Sequence, residues 1–199
     1  MPRSLLLLLA VACHPFEAGQ EPVGDPLPET LRQSSYVRVA TWNIEDAGAP
    51  WSDQYAAALD VLGRIDADVV TLLEVEGDQD ESWMRQLAAD AGYPHVIVAW
   101  DIGFGEDRAA VLSRIPFTSS TVHDAFSLSG DSSAKDLTRA IPRVTIDTPT
   151  PLTILPVHLK SGSWGDEQLF SRAVDGERMA QAAVRGIPGF DAAQHAVVV

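Results

Sequence analysis

Cysteine and basic residues are scarce in this sequence of 199 residues. A single cysteine, Cys13, excludes an intramolecular disulfide. Together with histidines that lack ligand spacing, it also excludes a structural zinc site. Lys and Arg total 14 against 28 Asp and Glu, which gives a net charge of −14. Because passive nucleic-acid binding depends on neutralising phosphates with Lys and Arg, this charge balance argues against a purely nucleic-acid-binding protein.

Long apolar runs are also missing. Leu5–Ala12 is apolar but too short to span a bilayer, and with Arg3 before it this run predicts a secretory signal over residues 1–20. Cys13 follows directly, in a context similar to a bacterial lipoprotein processing site; alternatively, it is discarded with the signal. The proline-rich stretch 21–35 predicts a linker. We therefore expect a secreted or periplasmic protein without a transmembrane span in its mature form, and a lipid anchor at Cys13 as one alternative.

Hydrophobic patterning predicts one α/β domain over residues 36–199. Helices are predicted over Asp53–Ile65, capped by Ser52, over Ser82–Ala91, with Trp83, Leu87 and Ala91 facing inward, and over Gly165–Arg185. Strands are predicted near Tyr36–Trp42, Asp68–Glu76, His95–Trp100, Arg108–Ser113, Thr118–Phe126, Arg139–Asp147 and Thr153–Lys160. The β–α–β–α–β opening followed by clustered strands favours a mixed, layered α/β fold over a doubly wound parallel sheet.

Polar residues follow several of these strands. The run Val69–Leu73 is typical of a strand buried on both faces, and it leads directly into Glu74. A carboxylate at that point lies at the rim of the sheet, where such folds bind ligands. Asn43, His158 and Lys160 end other predicted strands, and we expect them to converge with Glu74. Alternatively, Glu74 only begins a solvated acidic loop.

Five segments, in order, resemble motifs of the endonuclease/exonuclease/phosphatase superfamily, also called DNase I-like. They are TWNIE at Thr41–Glu45, LLEVE at Leu72–Glu76, DRAAVLSR at Asp107–Arg114, TRAIPRVTI at Thr138–Ile146 and PVHLKSGS at Pro156–Ser163. The resemblance implies a four-layer sandwich of two mixed β-sheets flanked by helices. Its C-terminal part would be missing, because the later Gly-Asp-x-Asn and Asp-His motifs do not occur. Leu73 stands where the family usually has Gln.

The resemblance also implies roles for individual residues. Glu74 would bind a divalent metal together with the active-site asparagine, Asn43. His158 would be catalytic, with Asp107 as its acidic partner. The substrate phosphate would be bound by Arg139 and Lys160. Mg²⁺ is the expected cofactor, with Mn²⁺ or Ca²⁺ as alternatives, because a hard cation held by few carboxylates keeps positions open for phosphate oxygens.

The expected function is an exported, divalent-metal-dependent phosphoesterase that acts on phosphodiester bonds, as a nuclease or a general phosphodiesterase. Its partner would be a phosphate-ester substrate, nucleic acid included, and the complete protein would be a monomer. A phosphatase or sphingomyelinase-like enzyme of the same fold is one alternative. A non-catalytic fragment or binding module is another, because the missing motifs predict that this chain is inactive alone.

Overall fold

The first of two β-sheets carries the candidate site. A computed structural model describes residues 11–12, 36–75, 81–99, 108–123, 137, 139–159, 165–184 and 196–198. Within these ranges, the first sheet has the strand order β1-β2-β3-β5-β4. Its strands are β1 (Val11–Ala12), β2 (Val39–Asn43), β3 (Val69–Val75), β4 (His95–Val98) and β5 (Arg108–Ser113). β2 is parallel to β3, whereas β5 is antiparallel to both β3 and β4.

The second sheet has the order β6-β7-β8-β9 among the described residues. Its strands are β6 (Phe117–His123), β7 (Ile141–Ile146), β8 (Leu152–Ile154) and β9 (Ala196–Val198). β6, β7 and β8 pair in antiparallel fashion, and β8 pairs in parallel with β9. Both sheets are therefore mixed, as the sequence predicted.

Strand β1 lies within the segment predicted to be an export signal. Its two residues pair in parallel with Thr41 and Trp42 of β2, at the edge of the first sheet. Export itself remains a prediction. No helix among the described residues is long and apolar enough to cross a membrane.

Helix α1 has the predicted bounds, Asp53–Ile65. The Ser52 hydroxyl caps it by accepting a hydrogen bond from Tyr55 N at 3.2 Å. The helix ends at Asp66, which adopts a left-handed backbone with φ of 43°. Its buried residues, Tyr55, Ala58 and Leu62, follow helical spacing and face the first sheet.

Helix α2 (Glu81–Asp90) buries part of the stripe that was predicted. Met84, Leu87 and Ala88 face the core, whereas Trp83 is only half-buried. The Trp83 ring instead contacts Trp51, which lies in the connection from β2 to α1. The prediction was right for Leu87, which is fully buried, and for Ala91, which packs partly buried against the same core, but wrong for Trp83.

Buried side chains fall into layers. Leu62, Leu72 and Leu87 belong to a core between α1, α2 and one face of the first sheet. The other face of that sheet packs against the second sheet through residues that include Val39, Val69, Val111, Val144 and Ile154. Helix α3 (Asp166–Val184) places Met179 against Leu137, Ile141 and Leu155 on the far side of the second sheet. The described residues thus confirm the predicted layering of two mixed sheets between helices.

Charged residues tie together the amino ends of β2 and β3. Arg114 Nη1 lies 2.7 Å from Asp66 Oδ1, and Arg38 Nη2 lies 3.6 Å from Asp66 Oδ2. The Arg38 amide donates to Asp68 Oδ2 at 2.7 Å. Ion pairs therefore fix the amino ends of these strands. The polar residues that follow the strands lie at the opposite, carboxyl ends.

Candidate active site

Asn43 and Glu74 lie on neighbouring strands at the carboxyl edge of the first sheet. β2 and β3 are parallel, and Asn43 is in register with Leu73, the residue before Glu74. Backbone hydrogen bonds continue beyond the ladder, from Ile44 N to Leu73 O at 2.9 Å and from Asp46 N to Glu74 O at 3.0 Å. The two chains therefore leave the sheet side by side.

Glu74 has a left-handed backbone, with φ of +56°. The pairing of β3 with β5 shifts register between Leu73 and Val75, so Glu74 is the extra residue of a β-bulge. A bulge redirects the side chain away from the regular alternation of the strand. Glutamate has no steric reason to prefer this backbone, and such conformations are concentrated at functional sites.

His158 reaches Glu74 from the second sheet. Its Nε2 lies 3.3 Å from Glu74 Oε1, and the two side chains are 23% and 26% exposed. The predicted strand Thr153–Lys160 is shorter than expected, because β8 ends at Ile154. Pro156 follows and has no amide hydrogen to continue a ladder. His158 therefore lies on irregular backbone, and the expected convergence of Glu74 and His158 is present.

Arg139 approaches the same histidine from the other side. Its Nη1 donates to the His158 carbonyl oxygen at 3.2 Å. Arg139 and His158 line one cleft together with residues of β5, β7 and α3. A guanidinium that lines this cleft suits recognition of a phosphate oxygen, since Arg pairs strongly with phosphate.

Asp175 of α3 also lines this cleft, and the sequence reasoning missed it. It is only 3% exposed, although it carries a carboxylate. Ser171, Asp175 and Met179 are spaced four residues apart, which places them on one helix face. That spacing could have identified Asp175, because an acidic residue on the same helix face as an apolar residue is expected to point toward the protein interior.

Of the remaining predicted site residues, the structure describes Asn43 but not Asp107, Lys160 or Cys13. Asn43 is exposed, and its Oδ1 accepts a hydrogen bond from Glu45 N at 3.2 Å. Asp107, Lys160 and Cys13 lie outside the described residues. The predicted contact between Asp107 and His158 therefore remains a prediction.

Glu74 and Asn43 supply the donor types that a hard divalent cation prefers, a carboxylate and an amide oxygen. Within the described part of the chain, no group of three or more His, Cys, Asp or Glu side chains could hold a metal ion. Mg²⁺ is commonly held by one or two carboxylates, with water and substrate phosphate completing its shell. The donors present fit such an ion better than they fit Ca²⁺, which takes six to eight oxygen ligands.

Comparisons with known proteins agree with this fold. Residues 40–198 match the Endonuclease/Exonuclease/phosphatase family. The fold resembles SmcL, with a TM-score of 0.52 at 18% identity over 80% of this chain and 60% of that one. It resembles ANGEL2, a 2′,3′-cyclic phosphatase, with a TM-score of 0.51 at 17% identity over 68% of this chain and 40% of that one. An AP endonuclease from Archaeoglobus fulgidus gives a TM-score of 0.51 at 15% identity, over 77% and 52% of the two chains.

The chain spans at most 60% of the length of these three structures. A comparison with functionally curated proteins gives no match. The family match covers well over half of the chain and confirms the resemblance that the motifs predicted. The chain belongs to the Endonuclease/Exonuclease/phosphatase family, whose members are hydrolytic phosphoesterases that generally depend on a divalent metal.

Proposed function

We propose that this protein hydrolyses phosphodiester bonds with the help of a divalent metal ion, preferably Mg²⁺. The observation that carries the proposal is the Glu74–His158 pair, with 3.3 Å between Oε1 and Nε2, at the carboxyl edge of the first sheet. Both side chains are about a quarter exposed, so they are accessible to a substrate while their surroundings hold them in place.

The chemistry requires water to attack phosphorus, the bond from phosphorus to the leaving oxygen to break, and a proton to reach that oxygen. His158 is suited to donate that proton as a general acid, with its Nε2 3.3 Å from Glu74 Oε1. Arg139 would bind a non-bridging phosphate oxygen through its guanidinium. Lys160, which follows His158 by two residues, is proposed for the same role.

Glu74 and Asn43 would hold the metal. A bound divalent ion stabilises charge on the phosphoryl oxygens and lowers the pKa of bound water. His158 contacts Oε1 of Glu74, so the second carboxylate oxygen would be the natural metal ligand. Asp107 is proposed as a further acidic partner of His158, because it is a sequence match to that position in the family.

The test is hydrolysis of bis(p-nitrophenyl) phosphate by the purified protein, with Mg²⁺ and with EDTA. Glu74→Gln should weaken the dependence on Mg²⁺, because it removes one charge from the metal site. His158→Ala should lower the turnover number. His95→Ala is the matched control, because His95 begins β4 and pairs with Ser113 at the end of the strands opposite to Glu74. If His95→Ala and His158→Ala lowered the rate equally, the assignment of His158 would be wrong. Hydrolysis of p-nitrophenyl phosphate alone would favour a phosphatase.

Export is proposed on the sequence alone. The apolar run Leu5–Ala12 supports a secretory route, and Cys13 supports lipidation as an alternative to release. Fractionation of cells that produce the tagged protein tests the route, and palmitate labelling lost in Cys13→Ser would support a lipid anchor. An uncleaved protein retained in the cytoplasm would contradict both. A monomer is proposed for the complete protein, and gel filtration of that protein tests it.

A further inference from the structure

Asp175 is a charged side chain buried in the wall of the cleft at the candidate active site. It is 3% exposed, and it lies on α3 four residues before Met179. Met179 packs against the buried cluster that contains Ile141 of β7. Residues four apart share one face of a helix, so the face of α3 that packs on the second sheet includes Asp175.

Arg139 reaches the same place from the second sheet. It precedes Ile141 by two residues, and both line the cleft together with His158 and Asp175. Arg139 Nη1 donates to the His158 carbonyl oxygen at 3.2 Å. Because a guanidinium carries five N–H donors in one plane, this contact uses only part of its capacity to donate.

A carboxylate buried as deeply as that of Asp175 needs a positively charged partner. Burying a charge is costly unless an opposite charge and hydrogen bonds accompany it. Arg139 and His158 are the basic residues that line the cleft in the described part of the chain. His158 Nε2 lies 3.3 Å from Glu74 Oε1. The guanidinium of Arg139, which is charged at every physiological pH, is therefore the better match for Asp175.

Two further arginines are candidates for such a partner. Arg143 is buried on β7, two residues beyond Ile141, and Arg178 lies on α3 itself, where its Nη1 donates to Gln181 Oε1 at 2.8 Å. Among the described residues, neither arginine lines the cleft. They define the alternative that an experiment has to separate, namely a carboxylate that only holds α3 on the sheet.

We infer that Asp175 is a positioning residue for Arg139. Its carboxylate orients the guanidinium toward the substrate phosphate, and the His158 carbonyl oxygen fixes the same group from a second direction. Asp175 does not bind the phosphate itself, because the two negative charges repel each other. The inference rests on the proposed phosphodiester hydrolysis and adds a residue to that site.

The first test is a double-mutant cycle on the hydrolysis of bis(p-nitrophenyl) phosphate with Mg²⁺. It uses Asp175→Asn, which keeps the size of the side chain but removes its charge, Arg139→Ala and the double variant. We expect Asp175→Asn to lower kcat/KM roughly 10- to 100-fold, as loss of a residue that orients a ligand commonly does. The loss should be divided between kcat and KM as it is in Arg139→Ala. In the Arg139→Ala background, Asp175→Asn should change kcat/KM by less than about 2-fold, because no guanidinium is left to position.

Glu177→Gln is the matched control, because Glu177 is an exposed carboxylate on α3, two residues from Asp175. It removes the same charge from the helix and should leave kcat/KM unchanged. If Asp175→Asn lowered kcat/KM by the same factor with and without Arg139, or did not lower it at all, the inference would be wrong.

Circular dichroism of each variant checks that the fold is retained. Should Asp175→Asn not fold, Asp175→Glu takes its place in the cycle, because it keeps the buried charge and moves it by one methylene group. It should lower kcat/KM only where Arg139 is present, and a loss that is independent of Arg139 would overturn the inference.

The second test separates this inference from the proposed function. Binding of dimethyl phosphate, an unreactive phosphodiester, is followed with Mg²⁺ by broadening of its phosphorus resonance on titration with the protein. Asp175→Asn and Arg139→Ala should weaken this binding by similar factors, and the double variant should bind no more weakly than Arg139→Ala. That result in a protein that hydrolyses no ester would refute the phosphodiesterase and retain the role of Asp175. Hydrolysis that depends on His158 and Arg139 but is unchanged in Asp175→Asn would refute only the role of Asp175.

Discussion

The left-handed backbone of Glu74 makes a prediction about stability that can be tested without any assay of activity. Forcing an L-residue into this conformation costs about 1–2 kcal/mol, and glycine escapes the cost. Glycine in turn loses more conformational entropy on folding, which costs about 0.5–1 kcal/mol relative to alanine. At φ of +56°, Glu74→Gly should therefore be more stable than Glu74→Ala, by up to about 1.5 kcal/mol.

A second pair of variants separates the backbone strain at Glu74 from the entropy cost of glycine. Ser120 lies on β6, is exposed, and is not among the residues with positive φ. Here Ser120→Gly should be less stable than Ser120→Ala by about 0.5–1 kcal/mol. The difference between the two comparisons cancels the entropy of the unfolded chain and leaves the backbone strain at Glu74, about 1–2 kcal/mol.

The free energy of unfolding is measured by urea denaturation of the four variants, and thermal melting gives an independent value. For a protein of this size, 1 kcal/mol corresponds to about 2–4 °C in the melting temperature. If glycine were less stable than alanine by the same amount at both positions, Glu74 would not be strained. The bulge would then have to be explained by its hydrogen bonds alone.

Three further predictions follow from described contacts. His158→Ala should lower the turnover number by about 10²–10⁴-fold and leave metal affinity nearly unchanged, and a larger loss of metal affinity would make His158 a ligand. Burial, together with the hydrogen bond that the Tyr55 hydroxyl donates to Asp90, raises the pKa of Tyr55 above its usual 10.0. Its contribution to stability is therefore complete below pH 10 and is lost as the pH rises further. Urea denaturation at pH 9 and 11 should show a decrease in the free energy of unfolding that is smaller in Tyr55→Phe, and an equal decrease in both proteins would contradict this. Ser52→Ala should destabilise the fold by about 0.5–2 kcal/mol through loss of the α1 cap, which thermal melting measures, and an unchanged melting temperature would exclude such a contribution.

The sequence predicted a helix or strand correctly where a single capping residue or the spacing of apolar residues determines its bounds. Helix α1 was predicted with its observed bounds, because Ser52 is a capping residue and the apolar spacing that follows is helical. Strand β5 also has its predicted bounds, Arg108–Ser113. The order of polar residues after apolar strands led to Glu74 and His158, which the structure places together.

Features that depend on contacts between distant segments could not be predicted from such local patterns. The bulge at Glu74 exists because β3 and β5 shift register between Leu73 and Val75, and register is not visible in one strand. The inward position expected for Trp83 was wrong, because its ring contacts Trp51, more than thirty residues away in sequence. The early end of β8 was visible in principle, since Pro156 cannot extend a ladder, but the apolar run concealed it.

Strand β4 has one neighbour in the first sheet, and this has a consequence for how the protein opens. β4 precedes β5 in the chain, but β5 lies between β4 and β3, so within the described ranges β4 pairs with the sheet only through β5. Any fluctuation that separates β5 from β3 must carry β4 with it or release it. In hydrogen exchange, we therefore expect the amides of β4 to be protected no longer than those of β5, whereas the pairing of β2 with β3, which carries Glu74, does not involve β4.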